Sequence, residues 1–167
     1  GIHIALMGDP TLRLHPVALG ERSGEVTMHA NAYPDSSSLL KMTDRHKELW
    51  PKTRNERPII VPVRTLDSLR SELGAGPFFV KLDVQGYELH VLRGAESLLE
   101  NTSVIMAEVL FEPLYEGQAD FPAVWDFLRQ RGFRFTEFIG ECRLPPHGEL
   151  AFADAIFRRA ETPDIRA

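Results

Sequence analysis

The sequence predicts an α/β domain built on a mostly parallel sheet with helices on both faces. Three observations lead there. Residues 78–84 and 103–111 are short, nearly continuous apolar runs, the pattern of strands covered on both faces. Each is followed by a segment with helical period, 87–99 and 121–132. Two more strand-like runs, 133–140 and 149–159, close the chain. Strands alternating with helices in this order pair in parallel through crossovers.

Taken in order, "TLRLHPVAL" (11–19) alternates Leu12 and Leu14, then Val17 and Leu19, around Pro16 and predicts a strand ending near Gly20. "GERSGEVTMHA" (20–30) is a polar turn leading into a strand with Val26 and Met28 on one face. Residues 31–58 hold prolines, a serine cluster and many charges, and predict a loop or insertion with a short helix around 41–49. "IIVPVRTLDSL" (59–69) predicts a strand that runs into a helix cap. In 87–99, Leu89, Val91, Leu92, Ala95, Leu98 and Leu99 form the apolar side, with His90, Arg93, Glu96 and Glu100 outward. In 121–132, Phe121, Val124, Trp125 and Leu128 face the core, Asp120 is the N-cap and Gly132 the stop. No repeat or second-domain boundary interrupts residues 1–167, so a single domain is predicted.

Composition narrows the function. A content of 43% hydrophobic and 26% charged residues is that of a globular protein with a core of its own. A net charge of −5 argues against electrostatic binding to nucleic acid or anionic membranes. The single cysteine, Cys142, in a turn-rich stretch, excludes an internal disulfide and a cysteine-rich zinc site and predicts a reducing, cytoplasmic setting. The six histidines (3, 15, 29, 46, 90, 147) show no metal-ligand spacing, and no metal is predicted. No apolar run approaches the ~20 residues of a membrane span.

One stretch does not fit a buried strand. In "FFVKLDVQGYELHVLRGAESLL" (78–99), Lys81 and Asp83 interrupt the apolar run and Gln85-Gly86 make a bend. Ligands of parallel α/β sheets sit at the carboxyl ends of the strands, where Asp83 lies, with Glu108 and Glu112 in the matching region of the next strand. The three carboxylates predict a polar site there. Equally open on spacing alone, Asp83 caps the following helix and Lys81 pairs with a neighbouring acid.

The run "KLDVQGYELHVLRGAESLL" resembles the signature of the FkbM-type methyltransferases, with Lys81, Asp83, Val84, Gly86, Glu88, Val91, Leu92, Gly94 and Ala95 in register. Four further matches follow the family's order: "VALGERSGEV" (17–26), "SSLL" (37–40), "VPVRTLDSL" (61–69) and "MAEVLFEP" (106–113). The resemblance implies a class I, Rossmann-like methyltransferase sheet with its last strand antiparallel. In it 11–19, 78–84 and 103–111 are the third, fourth and fifth strands. It also implies S-adenosylmethionine as cofactor and O-methylation of a hydroxyl on a small molecule or sugar. Asp83 then becomes the catalytic and cofactor-side residue at the rim, Ala18, Leu19 and Gly20 become adenine-side contacts, and Gln85 becomes a cofactor-binding residue. Gln85 stands where the family has Glu, keeping hydrogen bonding but not charge.

The family's glycine-rich cofactor loop and the acid after its second strand have no counterpart in residues 1–20. A domain lacking its first two strands is therefore expected, with strand 78–84 left as a sheet edge covered by another copy of the chain or by a rearranged segment. The alternative is a non-catalytic remnant used for self-association or scaffolding.

Overall fold

The computed structural model describes residues 13–160. Among the described residues seven strands form two sheets. The smaller sheet contains β1 (Ala18–Leu19), β2 (Gly24–Asn31) and β3 (Glu56–Arg64) in the order β1-β3-β2. The larger contains β4 (Phe78–Leu82), β5 (Thr102–Leu110), β6 (Phe133–Leu144) and β7 (Glu149–Arg159) in the order β4-β5-β7-β6. Both sheets are mixed. Parallel pairing is confined to β1–β3 and β4–β5, while β2–β3, β5–β7 and β6–β7 are antiparallel.

The single, mostly parallel sheet expected from the sequence is therefore corrected. The predicted strand 11–19 supplies only Ala18 and Leu19 as strand, and it pairs with β3 rather than joining β4. Residues 11 and 12 of that expectation lie outside the described residues. The antiparallel closing strand is where it was expected, with β7 against β5 from Val104–Arg158 to Leu110–Phe152.

The larger sheet carries the core. Ile105, Ala107 and Val109 of β5 and Ala155 and Phe157 of β7 are buried under α3 (Glu88–Arg93), α4 (Glu96–Glu100) and α5 (Phe121–Arg129). A second cluster, Met42, Leu110, Leu114 and Tyr115 with Leu49, Trp50 and Phe152, seats α1 (Asp44–Leu49) on residues of opposite strand parity. Thr43 caps α1 by accepting from His46 N at 3.2 Å, and Asp120 caps α5 by accepting from Ala123 N at 2.9 Å.

Three expectations are corrected in detail. β4 is not covered on both faces: it ends the sheet, only Leu82 is buried, and Phe79 is 61% exposed. Trp125 is 42% exposed and stacks on Phe121 instead of entering the core. Cys142 lies inside β6, and the turn falls at 145–148.

The predicted helix 87–99 is two helices. Gly94 sits so close to Gly20 that a Cβ would run into the Gly20 carbonyl oxygen. The Gly94 carbonyl accepts from Asp67 N at 3.0 Å. Asp67, in α2 (Leu66–Leu69) capped by Thr65, then caps α4 by accepting from Ser97 N at 3.0 Å and Leu98 N at 2.9 Å. A tertiary clamp between segments about 30 residues apart thus supplies new partners where the helix breaks.

Candidate functional site

The site is built around the bend that follows β4. Gln85 has φ 55 and Gly86 φ 89; glycine takes the second value without strain, glutamine does not. Glu88, the first residue of α3, holds the bend from inside. Its Oε1 accepts from Val84 N at 3.0 Å and from Gly86 N at 3.3 Å. Glu88 is 4% exposed. Burial pushes its carboxyl up to about 7, against the stabilising backbone N–H groups and with Asp83 adding to the rise.

The strain at Gln85 is spent on an ordered network. Its side-chain Nε2 donates to Asp83 Oδ1 and to Glu108 Oε2, both at 2.9 Å. Its Oε1 accepts from the Tyr115 hydroxyl at 2.8 Å, and its carbonyl accepts from Ser38 Oγ at 2.7 Å. An amide can both donate and accept. A glutamate here would lose the amide N–H groups that bond Asp83 and Glu108.

Burial, reinforced by Asp83 and Glu88, pushes the Glu108 carboxyl up to about 8. Burial likewise raises Tyr115, which keeps its phenolic proton for Gln85. Asp83 is the open member of the group. Its side chain is nearly half exposed, and Lys81 Nζ donates to its Oδ2 at 3.2 Å.

The two sequence readings of Asp83 are both altered. It does not cap α3, whose N-cap residue Tyr87 makes no side-chain capping bond. Lys81 does pair with it, at the solvent-reachable rim rather than in the core.

Asp83 also borders two cavities, and among the described residues it alone lines both. One is a cleft of about 470 Å³ with mainly apolar walls from Val17, Ala18, Leu19, Met28, Val61 and Val84. The other is a pocket of about 330 Å³ lined by Asp35, Ser36, His46, Trp50 and Thr53 together with Asp83, Gln85 and Glu108.

The structure therefore brings together Asp83, Gln85 and Glu108, and sets Ala18 and Leu19 on the neighbouring cleft. It does not bring in Gly20, which is buried against Val63 and Gly94. It does not bring in Glu112, which takes the Arg45 guanidinium at 2.9 Å.

Glu88, Tyr115 and the pocket residues of 35–53 are additions that sequence reasoning missed. Glu88 had a usable signal: it lies three, four and seven residues before Val91, Leu92 and Ala95, on the buried stripe of the helix.

Comparison with known proteins gives the family. Over 124 residues the chain is 32% identical to the 2-O-methyltransferase NoeI of Sinorhizobium fredii, an alignment covering 70% of this chain and 51% of that protein. The chain thus spans about half the length of the curated relative it matches. No solved structure matches. Residues 5–135 match the family described as Methyltransferase FkbM domain, and the chain belongs to that family.

Proposed function

We propose that the chain is the acceptor-side part of an S-adenosylmethionine-dependent O-methyltransferase with a Rossmann-like origin. The observation that carries this reading is the position of Asp83, shared between an apolar cleft and a polar pocket. A reaction that brings an apolar-faced donor and a hydroxyl-bearing acceptor to one carboxylate needs such a wall. Family membership and the printed activity of the relative, a 2-O-methyltransferase, support it.

The cleft fits part of the cofactor. Ala18 and Leu19 offer apolar surface to an adenine, and Asp83 offers a carboxylate near a sulfonium. When bound, the cofactor supplies an electrophilic methyl carbon. Asp83 orients the acceptor hydroxyl and takes its proton, with Lys81 holding the carboxylate in place. Gln85 fixes the second oxygen of Asp83. Glu108, protonated near neutrality, does not compete for that proton.

Two measurements test the reading. Asp83→Asn is expected to lower methyl transfer from a radiolabelled donor to a pool of glycosides by roughly 10²–10⁴-fold; the fold should be untouched because the side chain is exposed. Unchanged transfer would remove Asp83 from the chemistry. Calorimetric titration with S-adenosylmethionine is expected to give a dissociation constant nearer millimolar than micromolar. Among the described residues the mainly apolar cleft carries one carboxylate and no glycine-rich loop for the cofactor's ribose and amino-acid ends, and ~4 kcal/mol of missing contacts spans that range. Low-micromolar binding would show that the cleft is more complete than its lining suggests.

A second reading has its own observation. β4 is unpaired on its outer side among the described residues and exposes Phe79, which suits self-association by strand addition. Sedimentation of Phe79→Asp against the parent chain tests it: equal masses for the two would discard it.

A further inference from the structure

Tyr115 is 2% exposed and lines neither cavity beside Asp83. Its ring belongs to the second core cluster, with Met42, Leu110 and Leu114, and stands edge-on to His46 with centroids 5.1 Å apart. For that packing a phenylalanine would serve. The hydroxyl asks for another account. A phenolic O–H inside a core costs free energy unless it is bonded, and this one donates to the carbonyl end of the Gln85 amide at 2.8 Å.

The geometry of the bend shows what that bond holds. Gln85 is the one non-glycine residue with positive φ among the described residues, a conformation its backbone does not favour. Two contacts from distant segments keep it there. Ser38 Oγ donates to its main-chain carbonyl at 2.7 Å, and Tyr115 holds its side chain. The ring also closes the space over Gly86, where an added Cβ would lie 3.3 Å from Tyr115 Cβ and Cδ2. Tyr115 is itself set by its loop: Gln118 Oε1 accepts from the Leu114 and Tyr115 N–H groups at 2.8 and 2.7 Å. Bonds therefore run without a gap from Gln118 through Tyr115 and Gln85 to Asp83.

An amide has a donor end and an acceptor end. With its acceptor end on the Tyr115 hydroxyl, the donor end faces Asp83 Oδ1 and Glu108 Oε2, both at 2.9 Å. Without the hydroxyl, Oε1 keeps no partner among the described residues and the amide can turn about its last side-chain bond. The Asp83 carboxylate is held at both oxygens, by the amide on Oδ1 and by Lys81 Nζ on Oδ2. Releasing one of them frees its plane.

We infer that Tyr115 is a positioning residue for the reaction at Asp83: its hydroxyl locks the Gln85 amide, and the amide sets the orientation of the carboxylate. The inference rests on the methyltransferase reading and adds to it a residue that reaches neither cavity.

Tyr115→Phe removes one oxygen and leaves the ring in the core. The chain has three glutamines, at 85, 118 and 130, so their side-chain NH₂ signals are few enough to follow by heteronuclear NMR. Gln85→Gly identifies the Gln85 pair by its loss, and glycine accepts the positive φ. In Tyr115→Phe the Gln85 signals are expected to move toward the positions of free glutamine, while backbone signals of β5 and β7 stay in place. Methyl transfer to a pool of glycosides is expected to fall about tenfold in kcat, with the Michaelis constant within about twofold of the parent. In the Gln85→Gly background the same substitution is expected to cost nothing further, because the amide it acts through is gone.

Unmoved Gln85 signals in Tyr115→Phe would overturn the inference, whatever the activity. Released signals with an unchanged kcat would overturn it too, as would a loss confined to the Michaelis constant. A loss that repeats in full in the Gln85→Gly background would show that Tyr115 acts by another route, and the inference again falls. If Tyr115→Phe releases the amide but the parent chain methylates no glycoside, the hold on Gln85 stands and the methyltransferase reading fails.

Discussion

In the four-stranded sheet, Ile105, Ala107, Ala155 and Phe157 are fully buried beneath the helices; in the three-stranded sheet, Val63 is the one buried strand residue and Ile60 is 66% exposed. The larger sheet has about twice the strand pairing of the smaller, and the two differ in what covers them. Cohesion resides in the larger sheet. The smaller sheet, with the 35–53 segment, supplies cavity walls. The residues that meet both sit at the seam: Gly20 against Gly94, Ser38 against Gln85, and Asp83 between the cavities. A thinly covered region of this kind can vary in sequence without unsettling the core.

The comparison can be broken most directly by Phe157→Ala. The residue is 0% exposed and sits against Phe121 and Phe135, so a loss of about 3–5 kcal/mol is expected in denaturant unfolding. Ile60→Ala, the matched change in the smaller sheet, is expected to cost within about 0.5 kcal/mol. Equal losses from the two would show that both sheets share one core.

Next in size is the seam. Gly94→Ala forces a methyl toward the Gly20 carbonyl and is expected to cost about 1–3 kcal/mol, while disturbing tyrosine emission from Tyr87 beside the cleft. A variant as stable as the parent would mean that the two sheets slide freely past one another.

A separate effect is pH dependence. Glu88 and Glu108 have carboxyl groups raised from 4.5 to about 7 and about 8, so between pH 4.5 and 8 the folded chain holds protons that the unfolded chain has released. Their effect is absent below pH 4.5 and lowers stability as pH rises through the window, by at most about 1.4 kcal/mol per unit for each group. Glu88→Gln keeps an oxygen for Val84 and Gly86 but removes the titration. Unfolding free energies of parent and variant, measured from pH 5 to 8, should therefore converge toward low pH and separate toward high pH. Parallel curves would count against a buried, titrating Glu88.

Much of the larger sheet was legible in the sequence because its signals are local. The apolar run of β5, the Asp120 cap and Val124–Leu128 stripe of α5, and the paired closing strands follow from period and capping alone. The smaller sheet was not. Pro16 lacks an N–H, and the strand predicted around it shrinks to Ala18–Leu19. The break at Gly94 depends on Asp67, a partner that no helical pattern reveals.

Within the site, Asp83, Gln85 and Glu108 stood out as polar residues in apolar surroundings. Their mutual bonds through one amide did not, since they join separate strands. Trp50 and His46 were hidden in 31–58, a stretch that reads as an insertion because its order comes from contact with Leu110, Tyr115 and Phe152 rather than from periodicity.

Lys81 ties chemistry to solubility. β4 reads Phe-Phe-Val-Lys-Leu along an open sheet edge, and its one charge is the ammonium that also holds Asp83. Charged edge residues, lysine above all, act as gatekeepers against uncontrolled strand addition. A substitution at position 81 that retuned the carboxylate would also strip the edge of its guard, and the chain would leave solution before its altered activity could be selected. The freedom to evolve this ion pair is therefore bounded by colloidal behaviour as much as by reactivity.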